Sequence, residues 1–112
     1  MKIIQTLFIT ATIGLACMKA AADVVEAGRT ASQEKGCVAC HGEKGISASP
    51  ENYPHLAGQH ASYLTHSLKG YRDGSRKHAI MNQMAAELSD DDIEALAAFY
   101  AAQDGLATAT RD

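Results

Sequence analysis

One five-residue segment sets the architecture of this 112-residue chain: Cys37-Val38-Ala39-Cys40-His41. Two thiols three residues apart can both form thioether bonds to the two vinyl groups on one edge of a porphyrin. The histidine after the second thiol is then carried under the ring, where an imidazole nitrogen can bind iron. The motif therefore predicts one covalently attached c-type haem, with Cys37 and Cys40 as the attachment points and His41 as an iron ligand.

Three alternative roles fit the same segment less well. A structural zinc site needs four ligands. Its second pair would have to come from four histidines that lack zinc-finger spacing: His55, His60, His66 and His78. A thioredoxin-like dithiol needs a βαβ context, which the sequence lacks. Two merely buried thiols would leave the adjacent His41 without a role.

The composition indicates a small domain that needs a bound group. The whole chain has a net charge of −3, and residues 23–112 contain 37 apolar residues, of which 16 are alanine. At this size burial alone barely outweighs chain entropy, so natural domains add disulfides, a metal or a prosthetic group. The acidic balance also lacks the electrostatic footprint of a protein that binds nucleic acid.

The first 22 residues have the pattern of a secretory signal peptide. Lys2 supplies a positive start, residues 7–17 form an apolar run, and Ala20-Ala21-Ala22 is a small-residue cleavage site. We therefore predict a signal peptide over residues 1–22 and one domain over residues 23–112. Export to a Gram-negative periplasm follows, with no transmembrane segment after cleavage. An uncleaved membrane anchor and lipid attachment at Cys17 are the alternatives.

The elements predicted along the exported part are helical. Turn-forming residues and apolar spacing predict three helices: residues 23–35 ending at Gly36, residues 59–72, and a last helix after the capping residue Ser89. Residues 42–58 and 73–88 are predicted as loops that wrap the bound group, and residues 105–112 as a frayed end. Because no segment alternates as a β-strand does, the predicted fold class is all-α with long loops.

The second face of the iron needs its own ligand. A thioether leaves no open coordination site and suits electron transfer, whereas an open face suits gas binding or peroxide chemistry. Met81 and Met84 are the methionines outside the predicted leader, and spacing leaves both open. A histidine from His55, His60 or His66 is a further alternative, although the positions of all three favour the surface or the rim of the site.

Several stretches in fixed order carry a family resemblance. They are Cys37 to Gly42, Tyr53 to Gln59, Tyr63-Leu64 with Leu68, Gly74 to Arg76, Met81, and Leu88 to Tyr100. Together they resemble the class I cytochromes c, especially the small bacterial monohaem cytochromes of the c-553 kind and one half of the dihaem bacterial cytochromes. The resemblance spans residues 25–103. It implies the class I cytochrome c fold, with short helices and long loops around one haem.

The resemblance also implies roles for individual residues. His41 is the proximal ligand, and the carbonyl of Pro54 accepts a hydrogen bond from its other ring nitrogen, a contact that fixes the ring. Leu56 presses on one haem face. In the family the axial methionine lies eight residues before the serine that caps the last helix, which assigns Met81. Met84 is the fallback.

Two residues of the last helix are candidates for its contact with the first helix. Helical spacing places Tyr100 on the buried stripe, whereas the resemblance aligns Phe99 with the aromatic contact between the two helices. Gly28 is then the point of close approach on the first helix.

These expectations describe an electron carrier rather than an enzyme, and no catalytic residue is assigned. We expect one low-spin haem iron with His/Met ligation, in a periplasmic protein that exchanges electrons transiently with periplasmic or membrane-bound redox proteins. Two other functions stay open: a haem subunit or electron-entry module of a periplasmic oxidoreductase, and an enzyme or gas sensor with an open iron site. Four cations form either a docking patch or an ordinary solvated helix end: Lys69, Arg72, Arg76 and Lys77.

Overall fold

A computed structural model describes the backbone of residues 2–105 and the side chains of residues 14–105. Within that range the chain forms five helices and no strand. They are α1 (Lys2–Glu34), α2 (Val38–His41), α3 (Ala61–Asp73), α4 (Ala79–Ala86) and α5 (Asp90–Ala101). The predicted all-α fold class is confirmed. Apart from Gly105, the predicted frayed end lies outside the described residues.

Helix α1 ends where the sequence predicts but begins much earlier. Gly36, two residues beyond its end, has φ +76°, a left-handed conformation that costs glycine little. The helix continues backwards through the predicted leader to Lys2, so the expected start near Asp23 was wrong. Residues 16–22 are rich in alanine, the best helix former, and nothing before Asp23 breaks the helix. No described helix is both long and apolar enough to cross a membrane.

The contact between α1 and α5 is the largest in the fold. Gly28 lies at its closest point, where an added Cβ would collide with the carbonyl of Ala95 and lie 2.5 Å from the Cβ of Phe99. Phe99 is fully buried, and Tyr100 beside it is buried as well. Both aromatic residues therefore pack in the core. The family resemblance predicts this for Phe99, and helical spacing predicts it for Tyr100.

Helix α5 begins with the cap that the sequence predicts. The hydroxyl of Ser89 accepts a hydrogen bond from the N–H of Asp92, and the carboxylate of Asp92 accepts one from the N–H of Ser89, both at 3.0 Å. This reciprocal capping box satisfies two backbone donors that a helix start leaves unpaired. It orients the stripe on which Ile93 and Leu96 are fully buried.

Helix α4 corrects the prediction of a loop over residues 73–88. The loop ends at His78, whose Nδ1 accepts a hydrogen bond from the N–H of Met81 at 3.4 Å and so caps the new helix. Histidine is outside the usual set of capping residues, which is Ser, Thr, Asp and Asn, so the helix start carried no recognisable signal. Helix α3 packs against both α4 and α5, which places α4 beside the site described next.

Candidate haem site

A cavity of about 410 Å³ is enclosed by residues of α2 to α5 and of the loop before α3. Its wall contains all six residues that the sequence analysis proposes for cofactor binding: Cys37, Cys40, His41, Pro54, Leu56 and Met81. Leu64, Leu68 and Leu96 extend the apolar part of the wall. The fold thus brings into one pocket residues that are spread along the sequence from Gly36 to Tyr100.

Helix α2 is the single helical turn that arranges the two thiols and the imidazole. The N–H of Cys40 lies 3.3 Å from the carbonyl oxygen of Cys37, and that of His41 lies 2.9 Å from it. Residues three and four positions apart on a helix share a face. Cys37, Cys40 and His41 therefore face the same cavity, and Gly42 ends the turn with φ +81°.

The buried ring of His41 is held by the loop that carries Pro54. Its Nδ1 lies 2.9 Å from the carbonyl oxygen of Pro54. A carbonyl oxygen only accepts hydrogen bonds, so Nδ1 carries the proton and donates. The other ring nitrogen, Nε2, then keeps its lone pair and is the one able to bind a metal.

Ser47 ties this loop to the helical turn. Its buried hydroxyl donates to the carbonyl of Cys40 at 3.3 Å, and its N–H donates to Nδ1 of His55 at 2.8 Å. Ser47 is therefore hydrogen-bonded to Cys40, the residue before His41, and to His55, the residue after Pro54. These bonds help to keep His41 and Pro54 next to each other. Sequence reasoning missed this role because a serine in a turn-rich loop carries no positional signal.

Both candidate methionines lie in the cavity wall. Met81, in the first turn of α4, is half-buried, whereas Met84 is 39% exposed. The methyl end of Met84 lies beside Gly36, next to the first thiol. The structure thus brings both sulfurs to the site, and Met81 is the more enclosed of the two.

The histidines outside the motif lie at the rim or on the surface. His55 and His78 line the cavity, but both are exposed, and Nδ1 of each already accepts a backbone N–H. His60 and His66 are exposed on or beside α3. No group of three or more His, Cys, Asp or Glu side chains among the described residues is placed to hold a metal ion.

Comparison with known proteins agrees with this geometry. Residues 25–102 match the family model described as Cytochrome c. The chain belongs to the cytochrome c family. It therefore binds haem c covalently through Cys37 and Cys40, in the motif that His41 completes, and has the electron-transfer role of that family.

Individual members of the family are similar over much of the chain. Cytochrome c-554(548) of Halomonas halodenitrificans is 52% identical over 71 residues, which are 61% of this chain and 84% of that protein. The thiosulfate dehydrogenase electron acceptor of Thiomonas intermedia is 42% identical over 64 residues, 57% of this chain and 30% of that one. The crystal structure of reduced recombinant cytochrome c4 from Pseudomonas stutzeri superposes with a TM-score of 0.66 and 30% identity. The superposed region covers 72% of this chain and 48% of the cytochrome c4 chain.

The cavity fits the haem c of the cytochrome c family in chemistry as well as in place. Two thiols, one imidazole nitrogen with a free lone pair and two thioethers share a largely apolar wall. Burial raises the pKa of the Cys37 thiol and that of the Tyr100 hydroxyl, so both groups stay uncharged at neutral pH. An apolar porphyrin ring is compatible with these uncharged groups and with the largely apolar wall around them.

The predicted basic patch is smaller than the sequence suggests. The guanidinium of Arg72 lies 2.7 Å from the carboxylate of Asp90 and also donates to a backbone carbonyl. Arg76 is hydrogen-bonded to α3. Lys69 and Lys77 are exposed. Two of the four cations in this cytochrome c family member therefore have partners within the chain.

Proposed function

We propose that the chain is a periplasmic one-electron carrier whose haem iron is bound by His41 and Met81, and that none of its residues is catalytic. One observation carries this proposal. The hydrogen bond from His41 to Pro54 leaves Nε2 available on one side of the cavity, and a half-buried thioether lies in the wall of the same cavity. Two side-chain ligands would leave no coordination site for a substrate.

Bound haem c supplies one iron that takes one electron from a donor protein and gives one electron to an acceptor, without making or breaking a substrate bond. The chain's residues hold the ligands still. His41 is fixed by Pro54, and Met81 lies in a helical turn capped by His78. Ligands that stay in place in both oxidation states need little rearrangement, which suits fast electron transfer.

The surface next to the cavity suits transient contact with a redox partner. Three apolar side chains of the cavity wall also reach solvent: Tyr63 at 47% exposure, Ile80 at 49% and Met84 at 39%. The exposed cations Lys69 and Lys77 lie on α3 and in the loop before α4. Charge near a small apolar contact favours rapid, reversible docking. The relative from Thiomonas intermedia, whose name makes it an electron acceptor of a dehydrogenase, supports a carrier role.

Optical spectra of the holoprotein and two variants test the ligand assignment. The oxidised wild type is expected to show a low-spin spectrum with the weak far-red band of an iron–thioether bond. Met81→Ala should lose that band and bind carbon monoxide when reduced, whereas Met84→Ala should keep it. If Met81→Ala keeps the band and Met84→Ala loses it, Met84 is the ligand. An unchanged band in both variants would exclude thioether ligation by either residue, and carbon monoxide binding by the wild type would indicate an open site.

Cell fractionation tests the proposed location. The haem-stained protein is expected in the periplasmic fraction, with an intact mass that corresponds to a chain starting at Asp23 plus one haem. A chain that retains residues 1–22 and stays with the membranes would instead indicate an anchor. Lipid attachment at Cys17 would give a larger mass and a membrane fraction.

A further inference from the structure

The hydroxyl of Tyr100 is an unusual polar group of the core. Tyr100 is only 3% exposed. Among the described residues, its hydroxyl oxygen is the one buried side-chain nitrogen or oxygen atom without a hydrogen-bond partner. Such groups are rare in folded proteins, because an unpaired hydroxyl that has left water is costly. Tyr100 also lines the haem cavity, so the partner of its hydroxyl is to be sought there.

The ring of Tyr100 is held from several sides. A Cβ added at Gly45 would lie 2.8 Å from Cδ1 of the ring, so the backbone of the loop before α3 packs directly against it. The ring of Phe99 lies 5.1 Å away, centre to centre. The carbonyl of Tyr100 accepts a hydrogen bond from the N–H of Gly58 at 2.9 Å. The hydroxyl therefore has a fixed position and cannot turn towards a distant partner.

The thiol of Cys37 is one polar neighbour of this hydroxyl. Cys37 lines the same cavity and packs against the core cluster that contains Tyr100. Burial is the main cause of the raised pKa of the Tyr100 hydroxyl, and Cys37 raises that pKa further. Burial also raises the pKa of the Cys37 thiol, and Tyr100 acts on it in the opposite direction. The two groups thus lie close enough to influence each other.

The hydroxyl of Ser32 is the other polar neighbour. It is fully buried and donates to the carbonyl of Arg29 at 2.7 Å. The carbonyl of Ser32 accepts a hydrogen bond from the N–H of Cys37 at 2.9 Å, which fixes the backbone of Cys37 beside Tyr100. Neither Ser32 nor Cys37 is in hydrogen-bond geometry with the Tyr100 hydroxyl, and haem attachment alters only Cys37.

Haem attachment changes what the sulfur of Cys37 can do. When a thiol adds to a vinyl group, the S–H bond and the π bond break while a C–S bond and a C–H bond form, without an oxidant or reductant. A thiol is a weak donor and a weak acceptor, whereas a thioether sulfur only accepts. A neighbouring hydroxyl that is protonated at neutral pH can supply the donor.

We propose that Tyr100 is a positioning residue of the haem site, whose hydroxyl donates a hydrogen bond to the thioether sulfur of Cys37 in the holoprotein. The bond gives the buried hydroxyl its partner and holds the Cys37 side of the porphyrin against α5. The inference rests on haem attachment through Cys37 and does not depend on which residue is the sixth ligand.

Resonance Raman spectra of the purified holoprotein in ordinary and heavy water test this bond through the C–S stretching bands of the two thioethers. Deuteration of the hydroxyl is expected to shift one C–S band of the wild type. Tyr100→Phe keeps the ring and removes only the hydroxyl, so it should shift that band and abolish its response to heavy water. Tyr71→Phe removes the hydroxyl of a half-buried tyrosine that packs against the same core, and this matched control should behave as the wild type does. Ser32→Ala removes the rival acceptor and should leave the response to heavy water intact.

NMR of the reduced holoprotein locates the hydroxyl proton itself, and the reduced carbon monoxide adduct serves the same purpose if the iron has an open site. We expect a slowly exchanging hydroxyl signal that is absent from Tyr100→Phe and shows nuclear Overhauser contacts to the β protons of Cys37. Contacts to Ser32 alone, or C–S bands that respond to neither heavy water nor Tyr100→Phe, would overturn the proposal. If Tyr100→Phe does not accumulate as holoprotein, the wild-type contacts and the wild-type response to heavy water decide in the same way.

Discussion

The imidazole of His41 and the carbonyl of Pro54 are joined by a hydrogen bond of 2.9 Å that spans 13 positions of sequence. The segment between them contains no helix or strand, so the position of that carbonyl depends on hydrogen bonds within the loop, such as those from the N–H groups of Leu56 and Ala57 to the carbonyl of Gly45. Ser47 adds one bond through its hydroxyl, to Cys40, and one through its N–H, to His55. Ser47 therefore supports the loop that orients the predicted iron ligand without a hydrogen bond to that ligand.

Ser47→Ala is expected to loosen the hydrogen bond between His41 and Pro54. The substitution removes a buried hydroxyl that donates to the carbonyl of Cys40 and accepts from the N–H of Ser49, which we expect to lower the free energy of unfolding by about 1–3 kcal/mol. The proton on Nδ1 of His41 should also exchange with solvent faster, as measured by NMR of the reduced holoprotein.

Ser49→Ala is the matched control for Ser47→Ala. Its hydroxyl donates to Glu51 at the surface, while its backbone N–H, which donates to Ser47, is retained. We expect little change in stability and none in proton exchange. Equal exchange rates in the two variants would show that Ser47 does not position the Pro54 loop.

The parts of the site that the sequence predicts are those with local or fixed-offset signals. The spacing of Cys37, Cys40 and His41 predicts that the three side chains reach one bound group, and the structure places them in the wall of one cavity. The short helix α2 that arranges them was not among the predicted helices. The cap at Ser89 is likewise a short-range signal, and it is present. The assignment of Met81 over Met84 came from the family offset, since spacing alone leaves both methionines open.

The parts that the sequence does not predict depend on contacts between distant residues or on unusual caps. Helix α4 is capped by His78, a residue type outside the usual capping set. The bonds of Ser47 and Arg76 join loops to elements that only the folded chain brings near. Such contacts leave no periodicity in the sequence, and a serine or an arginine in a polar loop looks like solvated surface.

Gly28→Ala should separate α1 from α5. The added methyl group would collide with the backbone carbonyl of Ala95, which cannot rotate away, and with Phe99. The gain in helix propensity of about 1 kcal/mol is smaller than the expected cost of overpacking, about 1–3 kcal/mol or more. A lower midpoint of denaturant unfolding would be the result.

Thr30→Ala, on an exposed face of the same helix, is the control for Gly28→Ala. It should leave the midpoint almost unchanged. If Gly28→Ala is as stable as Thr30→Ala, then the two helices are not in contact at this glycine.

Loss of haem attachment should unfold the chain. Without its porphyrin, a cavity of about 410 Å³ would expose to water the apolar side chains that line it, in a domain whose whole free energy of unfolding is only about 5–15 kcal/mol. The double variant Cys37→Ala/Cys40→Ala should therefore show little helical circular dichroism and rapid proteolysis. A haem-free variant with a cooperative thermal transition would contradict this.

Acid should weaken the start of α5 through Asp92. In the folded chain the N–H of Ser89 bonds this carboxylate, Lys35 lies 3.7 Å away, and the pKa of the carboxyl is held below its ordinary value. A carboxyl whose pKa is lower in the folded state stabilises the fold at a pH above its unfolded pKa of about 3.9. That stabilisation is lost as the pH falls through the pKa of the carboxyl in the folded state. Wild-type unfolding free energy should therefore decrease between about pH 5 and about pH 2.

Asp92→Asn should flatten this pH dependence, because the amide does not titrate but can still accept the bond from Ser89. Asp91→Asn, in the same first turn and exposed, is the control and should retain the wild-type slope. Denaturant unfolding of the three holoproteins at several pH values makes the comparison. Parallel curves for Asp92→Asn and the wild type would mean that the capping carboxylate contributes nothing to acid sensitivity, and the decline would then belong to other groups.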